Sequence, residues 1–246
     1  MDNVLLYFSL KYNGDWDKIF QALESKEKIE FSILQDVKKQ IRCNFITLLN
    51  PLYPSELKNS YKPPFVLYFV GNLELLSNYN KTLSIYADNE TNEKYDQSIN
   101  YILDYAINND YTIIVSSESV NIKNMFFNNL ESNNRFIYSI KGSISNFFID
   151  NSLDYNDKFK NTLFISTIYN ENSVIVENDS FFNNLQVNLS KFALFLNCVN
   201  TKEYINLFNY YINEGKEVLS IPEIELSSAI NNNFLDLGTK ILKYFK

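Results

Sequence analysis

Short apolar runs alternate with longer amphipathic segments from residue 45 onward, and this alternation constrains the fold more than any other feature. Four of the longer segments have the apolar spacing of helices: Tyr95–Ile107, Ile122–Leu130, Phe181–Leu189 and Lys202–Asn213. The short runs predict strands at Phe45–Leu49, Phe65–Val70, Thr82–Tyr86, Tyr111–Val115, Phe136–Ile140, Thr162–Ile168, Phe192–Leu196 and Glu217–Ile221. Strands that are apolar on both faces and alternate with helices are typical of a mostly parallel sheet covered on two sides. The pattern predicts a doubly wound α/β domain over residues 44–246.

The first 43 residues have a different texture and predict a small helical unit. Asp15 is a candidate N-cap for a helix that begins near Trp16 and repeats apolar residues at i, i+3, i+4 and i+7. A second helix is predicted over Phe31–Ile41, which places its apolar residues on one face. A unit of this size is too small to be stable alone.

The chain contains no histidine, which removes the commonest general base and the commonest metal ligand. Its two cysteines, Cys43 and Cys198, lie far apart without a CxxC motif, so neither a zinc site nor a disulfide framework is expected. We interpret both as small buried apolar residues. We therefore expect no catalytic residue, no bound metal, no cofactor and no enzymatic activity, with a hydrolase built on carboxylates or a lysine base as the open alternative.

Neither a secretory signal nor a membrane span is visible in the sequence. The first residues are acidic and polar, whereas a signal peptide begins with basic residues and an apolar run. The longest apolar stretch, Phe65–Val70, falls far short of the ~20 residues that span a bilayer. We expect a soluble, cytoplasmic protein without a membrane partner.

Negative charge is concentrated in one part of the chain. Residues 1–80 hold nine basic and nine acidic residues, whereas residues 81–246 hold 13 basic and 20 acidic residues and so carry the whole formal charge of −7. Nucleic-acid-binding domains usually have the opposite balance, because neutralising phosphates supplies most of their non-specific affinity. Charge alone therefore counts against DNA binding.

In a doubly wound sheet, ligands bind beyond the carboxyl ends of the strands. Here those ends are Ala87–Glu90, Ser116–Ser119, Lys141–Ser143, Thr167–Asn170 and Asn197–Asn200. Neither GxGxxG nor GxxxxGK[ST] occurs in the sequence. Only Lys141-Gly142-Ser143 has the composition of a backbone anion nest beside a cation, and an ordinary turn is the favoured interpretation there.

Two stretches resemble a known family. Ile46–Leu57 reads ITLLNPLYPSEL and Lys62–Leu76 reads KPPFVLYFVGNLELL. They are similar to the DprA/Smf (DNA-processing) family, which reads roughly I-x-x-x-D-x-x-Y-P-x-x-L … P-P-x-x-L-Y-x-x-G-N. The paired prolines predict an extended lead into an edge strand, and Gly71-Asn72 predicts a turn out of it.

A second match lies near the end of the chain. Glu214–Pro222, EGKEVLSIP, resembles the family's E-x-G-R-x-V-x-A-V-P-G, and Asn232, Leu235 and Gly238 fall where the family has an Asn, an apolar residue and a Gly. The resemblance covers residues 44–246 and implies a Rossmann-like domain. It further implies that the protein binds single-stranded DNA, hands it to a RecA-type recombinase in DNA uptake or recombination, and forms a homodimer. For that dimer, Leu235 and Ile241 are the candidate interface residues.

Between these two matches the family's pocket motifs are largely replaced. The G-S-R motif reads Ala87-Asp88-Asn89, the S-G-x-A-x-G-I-D motif reads Ser116–Lys123, and the R-N-R motif reads Phe182-Asn183-Asn184. Three arginine positions thus hold neutral residues, and each lost phosphate contact lowers the salt slope of binding by roughly 0.9 on duplex or ~0.7 on single strands. The remaining candidate nucleic-acid-binding residues are Asn89, Ser116, Ser117, Lys123, Lys141, Gly142, Ser143, Asn183 and Asn184.

Three functions remain open from the sequence. The first is a weakened single-strand binder, in which Phe147, Phe148, Phe181 and Phe182 are candidates to stack on bases, with core packing as the favoured alternative. The second is a degenerate Rossmann-like scaffold that serves protein–protein interaction without DNA. The third is a nucleotide-binding protein in which Asp88 accepts from a ribose hydroxyl.

Overall fold

The computed structural model describes residues 1–87, 93–116, 120–155, 159–169, 185–196, 202–220 and 240–241. The helices are α1 (Asp2–Lys11), α2 (Trp16–Glu24), α3 (Phe31–Asp36), α4 (Ser55–Lys58), α5 (Glu93–Asn108), α6 (Val120–Asn128), α7 (Ile144–Asp150), α8 (185–189) and α9 (Lys202–Asn213). Short 3₁₀ helices lie at Val37–Gln40, Leu73–Leu76 and Tyr79–Lys81. The strands are β1 (Asn44–Thr47), β2 (Val66–Gly71), β3 (Thr82–Ala87), β4 (Thr112–Ser116), β5 (Arg135–Ser139), β6 (Thr162–Ser166), β7 (Phe192–Leu196), β8 (Glu217–Ser220) and β9 (Lys240–Ile241).

The chain divides into two compact units. Unit 1 comprises Met1–Ser77 and Ser139–Asp179, and unit 2 comprises Asn78–Tyr138 and Ser180–Lys246. Residues 1–43 therefore lie in the same unit as β1, β2 and β6. A division of the chain at residues 43 and 44 stays a prediction.

In unit 1, β2 lies between β1 and β6 and pairs antiparallel with both. Tyr68, for example, is opposite Phe45 on one side and Ser166 on the other. The prediction of an edge strand after the paired prolines is therefore wrong. Pro63 and Pro64 precede the first residue of β2, so their missing N–H groups remove no bond from either ladder.

The helices at the start of the chain pack onto this sheet. The Asp15 carboxylate caps α2 by accepting a hydrogen bond from the Lys18 backbone N–H at 3.1 Å, as the sequence predicts. The predicted helix over Phe31–Ile41 is α-helical only to Asp36 and continues as a 3₁₀ turn. Two hydrogen bonds connect α1 to the strands. The Tyr68 hydroxyl lies 3.0 Å from the Ser9 hydroxyl, and the Thr47 hydroxyl donates to the Asp2 carboxylate at 2.6 Å.

In unit 2 the strand order is β5-β4-β3-β7-β8-β9. The pairs β3–β4, β3–β7, β7–β8 and β8–β9 are parallel. Helix α5 connects β3 to β4, and α9 connects β7 to β8, so both connections are βαβ crossovers. The prediction of an α/β fold with a mostly parallel sheet is confirmed.

One hydrophobic core of unit 2 lies between its sheet and α9. Its buried members come from β3, α8, β7, α9 and β8: Tyr86, Val187, Ala193, Phe195, Leu207, Phe208, Tyr211 and Val218. At its centre the Tyr211 hydroxyl lies 3.0 Å from that of Tyr86 and 2.7 Å from that of Ser190. Burial raises the pKa of Tyr211, so this hydroxyl stays protonated at neutral pH.

None of the helices among the described residues is long and apolar enough to cross a membrane.

Candidate nucleic-acid interface

The strand order of unit 2 reverses between β3 and β7. From β3 the chain moves outward to β4 and β5, and from β7 it moves the other way to β8 and β9. The last residues of the two central strands, Ala87 and Leu196, lie opposite each other in the parallel register. Open α/β sheets bind their ligands in the crevice outside the carboxyl ends of the strands at such a reversal. This edge of unit 2 is therefore the first place to seek a ligand.

Two of the predicted site residues can be placed near this edge. Ser116 is the last residue of β4, the neighbour of β3, and it is buried. Lys123 is half-buried on α6, and its ammonium lies 5.8 Å from the ring centroid of Phe127, one helical turn later. Four other predicted residues, Asn89, Ser117, Asn183 and Asn184, lie outside the described residues, as do Asp88, Phe181, Phe182 and Cys198.

In unit 1 the predicted nest Lys141-Gly142-Ser143 forms the turn between β5 and α7. Gly142 has φ +92°, a left-handed conformation that suits glycine. The Ser143 hydroxyl caps α7 by accepting from the Asn146 N–H at 3.2 Å, and it donates to the Tyr169 carbonyl at 2.6 Å. The hydroxyl of Ser166, at the end of β6, donates to the Gly142 carbonyl at 2.6 Å. The hydroxyls of Ser143 and Ser166 therefore tie this turn to the end of β6 and the residues that follow it.

Two backbone donors that follow this turn are already used inside the protein. The Ile144 N–H donates to the Ile168 carbonyl at 3.1 Å, and the Asn146 N–H is taken by the Ser143 cap. An anion nest needs several N–H groups that point together at the ligand. The geometry thus favours the ordinary-turn interpretation, and Lys141, which is half-buried, carries the charge of the segment.

The aromatic residues that follow this turn belong to the core. Phe148 is fully buried, and its ring lies 5.1 Å from that of Phe164 and 4.7 Å from that of Tyr155. Phe147 is also buried and contacts Phe164 at 6.0 Å. Core packing is thereby confirmed for both residues, and neither is exposed to stack on a base.

The described residues show the state of one cysteine thiol and the spacing of the possible metal ligands. Burial raises the pKa of the Cys43 thiol to about 12, so it stays protonated at neutral pH and is a poor nucleophile. Within the described ranges, no group of three or more Cys, Asp or Glu side chains lies close enough to hold a metal ion.

A family model described as DNA recombination-mediator protein A matches residues 44–243. The chain belongs to this family. Among solved structures, DNA processing protein A (DprA) from Streptococcus pneumoniae is similar at a TM-score of 0.67 and 14% identity, over 98% of this chain and 89% of that one. DNA processing protein A from Helicobacter pylori, reported for its unique single-stranded DNA binding mode, is similar at a TM-score of 0.65 and 16% identity, over 81% of this chain and 91% of that one. No curated protein matches the chain in sequence.

The residues that carry the family resemblance in unit 1 have structural roles. The buried Tyr53 hydroxyl donates to the Pro64 carbonyl at 2.8 Å, which ties the Tyr-Pro segment to the start of β2. Gly71 has φ +102°, and a Cβ there would lie 2.1 Å from the Thr162 carbonyl oxygen. The Asn72 side chain donates to the Lys160 carbonyl at 2.9 Å and accepts from the Glu74 N–H at 3.0 Å. This family motif therefore fixes β2 against β6.

A structural role that the sequence did not reveal belongs to Lys216, which takes the place of the family's arginine after glycine. Its ammonium donates to the carbonyls of Val187 and Ser190, the latter at 2.9 Å. These carbonyls lie at the end of α8, where helix carbonyls lack partners within the helix. Lys216 thus caps the C-terminus of α8. Because Lys216 lies far from α8 in the sequence, no local sequence pattern indicates this contact.

Proposed function

We propose that this protein is a recombination mediator that binds single-stranded DNA through the carboxyl ends of its parallel strands. Its affinity for the DNA phosphates is lower than the family motifs imply. The observation that carries the proposal is the reversal of strand order between β3 and β7, which lies beside the family's G-S-R position at Ala87-Asp88-Asn89. Membership of the DNA recombination-mediator protein A family and likeness to a single-strand-binding relative support it.

The weakening follows from charge. Asn89, Phe182 and Asn184 stand where the resemblance expects arginines, so up to three phosphate contacts are missing. Residues 81–246 carry 20 acidic against 13 basic residues, which raises the electrostatic cost of bringing a polyanion close. The turn at Gly142 and Ser143 cannot compensate fully, since its neighbouring N–H donors are used internally.

The finer parts of the proposal rest on the family alone. We infer that the bound strand is passed to a RecA-type recombinase during DNA uptake or recombination in the cytoplasm, and that no bond is made or broken by this chain. A pull-down of recombinase on immobilised protein, with and without oligothymidylate, tests the hand-over. Recombinase retained equally by a blank surface would contradict it.

Salt-titrated binding of fluorescein-labelled oligothymidylate, followed by anisotropy, tests the DNA activity. At physiological salt we expect the dissociation constant to be weaker than micromolar. Lys141→Ala should lower the log–log salt slope by up to ~0.7, the value for one phosphate contact on a single strand. The exposed Lys39→Ala removes the same charge from unit 1 and should leave the slope unchanged. A tight, strongly salt-dependent wild-type complex would show that other residues replace the missing arginines.

The alternative is a scaffold that binds proteins and no DNA. The internal use of the donors around Ser143 and the net acidic charge favour it. The same titration separates the two functions at low salt, where electrostatic binding is strongest. Measurable binding at about 20 mM salt supports the weakened mediator, and its absence there supports the scaffold.

We also propose a homodimer through the end of the chain, with Leu235 and Ile241 at the interface. Ile241 lies in β9, opposite Ser220 of β8 in the parallel register, whereas Leu235 lies outside the described residues. Leu235→Glu with Ile241→Glu should convert a dimer into a monomer in sedimentation at micromolar concentration, because buried glutamates would oppose each other across a two-fold axis. A monomeric wild type, or a dimeric double variant, would contradict this interface.

A further inference from the structure

The outer face of α5 carries a cleft near the end of the helix. The cleft encloses about 310 Å³ and is lined by Tyr101, Asp104, Tyr105, Asn108 and Asn109. The first four of these residues recur at i, i+3, i+4 and i+7, which places them on one side of the helix. The opposite side of α5 is buried through Ile102, Leu103 and Ala106. The last turn of α5 leads into β4, so the cleft lies toward the amino end of that strand, away from the carboxyl ends.

The tyrosines of the cleft belong to a row of rings anchored in unit 2. The centroids of Tyr101 and Tyr105 are 6.5 Å apart with the rings inclined by 29°, and Tyr105 lies 5.8 Å from Tyr111. Tyr111 in turn packs edge-on against Phe192, the first residue of β7, at 5.9 Å. Tyr101 and Tyr105 are half-buried, so each presents part of a ring that is backed by protein. The rings of Tyr101 and Tyr105 therefore form an aromatic surface, supported by packing within unit 2, against which a ligand can lie.

The end of α5 is also held rigidly. The Asn109 side chain donates to the Tyr105 carbonyl at 2.9 Å, and the Tyr111 N–H donates to the Ala106 carbonyl at 2.9 Å. Just beyond the helix, Asp110 pairs with the Arg135 guanidinium at 2.6 Å. These bonds hold the last turn of α5 before any ligand arrives, which lowers the entropic cost of binding there.

The chemistry of the cleft suits a cation. Asp104 is exposed and has no ion-pair partner among the described residues, and no lysine or arginine of the described part lines the cleft. Tyrosine faces attract cations, and carboxylates accept from them. The same row already holds a cation within the protein, since the Lys81 ammonium lies 4.8 Å from the Tyr111 ring centroid. A phosphate-bearing ligand would instead be repelled by the negative charge of the Asp104 carboxylate.

We propose that this cleft binds the guanidinium of an arginine side chain presented by a partner protein. A guanidinium is planar, so it can lie against the ring of Tyr101 or Tyr105 while its N–H groups donate to the Asp104 carboxylate. The Asn108 amide oxygen offers a further acceptor. Charge complementarity favours a basic segment of a partner, because residues 81–246 carry the whole negative formal charge of the chain. This interaction is independent of the proposed DNA binding.

The experiment uses the full chain and two labelled peptides of one design, in which glycine and serine separate three arginines or three citrullines. We expect the arginine peptide to bind in anisotropy and to shift amide resonances of residues 101–109, and the neutral citrulline peptide to bind at least about tenfold more weakly. Asp104→Asn should weaken arginine-peptide binding about threefold to tenfold. Asp150→Asn, the same change at an exposed position in α7, should leave it unchanged.

Other outcomes would overturn the proposal. Equal binding of the arginine and citrulline peptides would show that charge is not recognised, and equal binding by wild type and Asp104→Asn would exclude the carboxylate. Oligothymidylate that shifts the same resonances at a lower concentration than the arginine peptide would identify the cleft as a base-stacking site. Thermal unfolding of each variant, followed by circular dichroism, verifies that the exposed substitutions leave the fold intact.

Discussion

Gly71 and Gly215 share a left-handed backbone but have different surroundings. Their φ angles are +102° and +67°. A Cβ at Gly71 would lie 2.1 Å from the Thr162 carbonyl oxygen, whereas a Cβ at Gly215 would have nothing within 4 Å. One glycine is thus required by its conformation and by a close backbone contact, and the other by its conformation alone.

This difference predicts unequal costs for the same substitution. Gly71→Ala should lower the free energy of unfolding by more than about 3 kcal/mol, because strain and a forced separation of β2 from β6 add together. Gly215→Ala should cost about 1 kcal/mol, the price of the conformation alone. Urea unfolding of both variants measures the two values. Equal losses would show that the contact with Thr162 does not constrain Gly71.

At the residue scale, the sequence predicted conformations better than contacts. The turn at Gly71-Asn72 was predictable, because glycine and asparagine both favour turns. The long-range partners were not, since Tyr53 to Pro64 and Lys216 to Val187 are contacts fixed by tertiary structure. The same limit applied to Phe147 and Phe148, which sequence alone left open between base stacking and the core.

At the element scale, buried strands were the most predictable. Strand β7 has the predicted bounds, because its apolar residues are flanked by polar ones. The strand predicted over Thr162–Ile168 ends at Ser166, whose hydroxyl accepts from the Ile168 N–H at 3.0 Å and so turns the chain out of the sheet. The pattern of apolar residues does not show where a side-chain hydroxyl will take the place of a backbone hydrogen-bond partner in the sheet.

Helices α1 and α7 were not individually predicted. In α1 the buried residues Leu5, Leu6, Phe8 and Ser9 share one side of the helix. Apolar and aromatic residues nevertheless occupy every position from Val4 to Phe8, so the sequence shows no amphipathic spacing there. Helix α7 has only seven residues, too few to establish a period. Both helices are formed because packing favours them, and amphipathic spacing does not identify them.

The closure of α8 by Lys216 gives a prediction at this scale. Lys216→Met keeps the apolar stem but removes the donors to Val187 and Ser190, so two carbonyls at the helix end lose a charged partner. We expect the free energy of unfolding to fall by about 1.5–3 kcal/mol. Lys202→Met, at an exposed position that begins α9, should change it by less than about 0.5 kcal/mol. Chemical denaturation of the two variants measures both changes. Similar losses in the free energy of unfolding would exclude a capping role for Lys216.

At the scale of the whole molecule, the titratable groups predict how stability depends on pH. Burial raises the pKa of Cys43 to about 12 and also raises those of Tyr53, Tyr68 and Tyr211. The folded chain therefore keeps protons that the unfolded chain releases at its ordinary thiol and phenol pKa values of about 8.5 and 10. The stabilisation is complete below those values and is lost as pH rises above them, at up to about 1.4 kcal/mol per unit for each group.

Urea unfolding at pH 6, 7, 8, 9 and 10.5 measures this profile. Because the chain has no histidine, we expect little change between pH 6 and 8, followed by a steep fall above pH 9. An unfolding free energy that is the same at pH 8 and pH 10.5 would contradict the burial of these hydroxyl and thiol groups.

The chain keeps the α/β fold of its family, whereas the motifs at its proposed binding edge are replaced. The alternation of apolar runs and the Gly71 motif were enough to predict the α/β architecture, because both reflect packing that the chain must satisfy in order to fold. The binding edge was less predictable. We propose Asn89 and Asn184 as part of this edge, and a single side chain at such a position would decide whether a phosphate is neutralised without changing the apolar pattern of the sequence.

The measurement that tests this account most directly is arginine restoration. Asn89→Arg with Asn184→Arg should tighten binding of oligothymidylate about tenfold at physiological salt and steepen the log–log salt slope by up to about 1.4, the value for two single-strand phosphate contacts. The control, Asn59→Arg with Asn213→Arg, adds the same charge at two exposed positions outside the predicted edge and should change the slope much less. If the two double variants bind alike, or restoration leaves the wild-type affinity unchanged, the missing arginines are not what weakens the protein's hold on DNA.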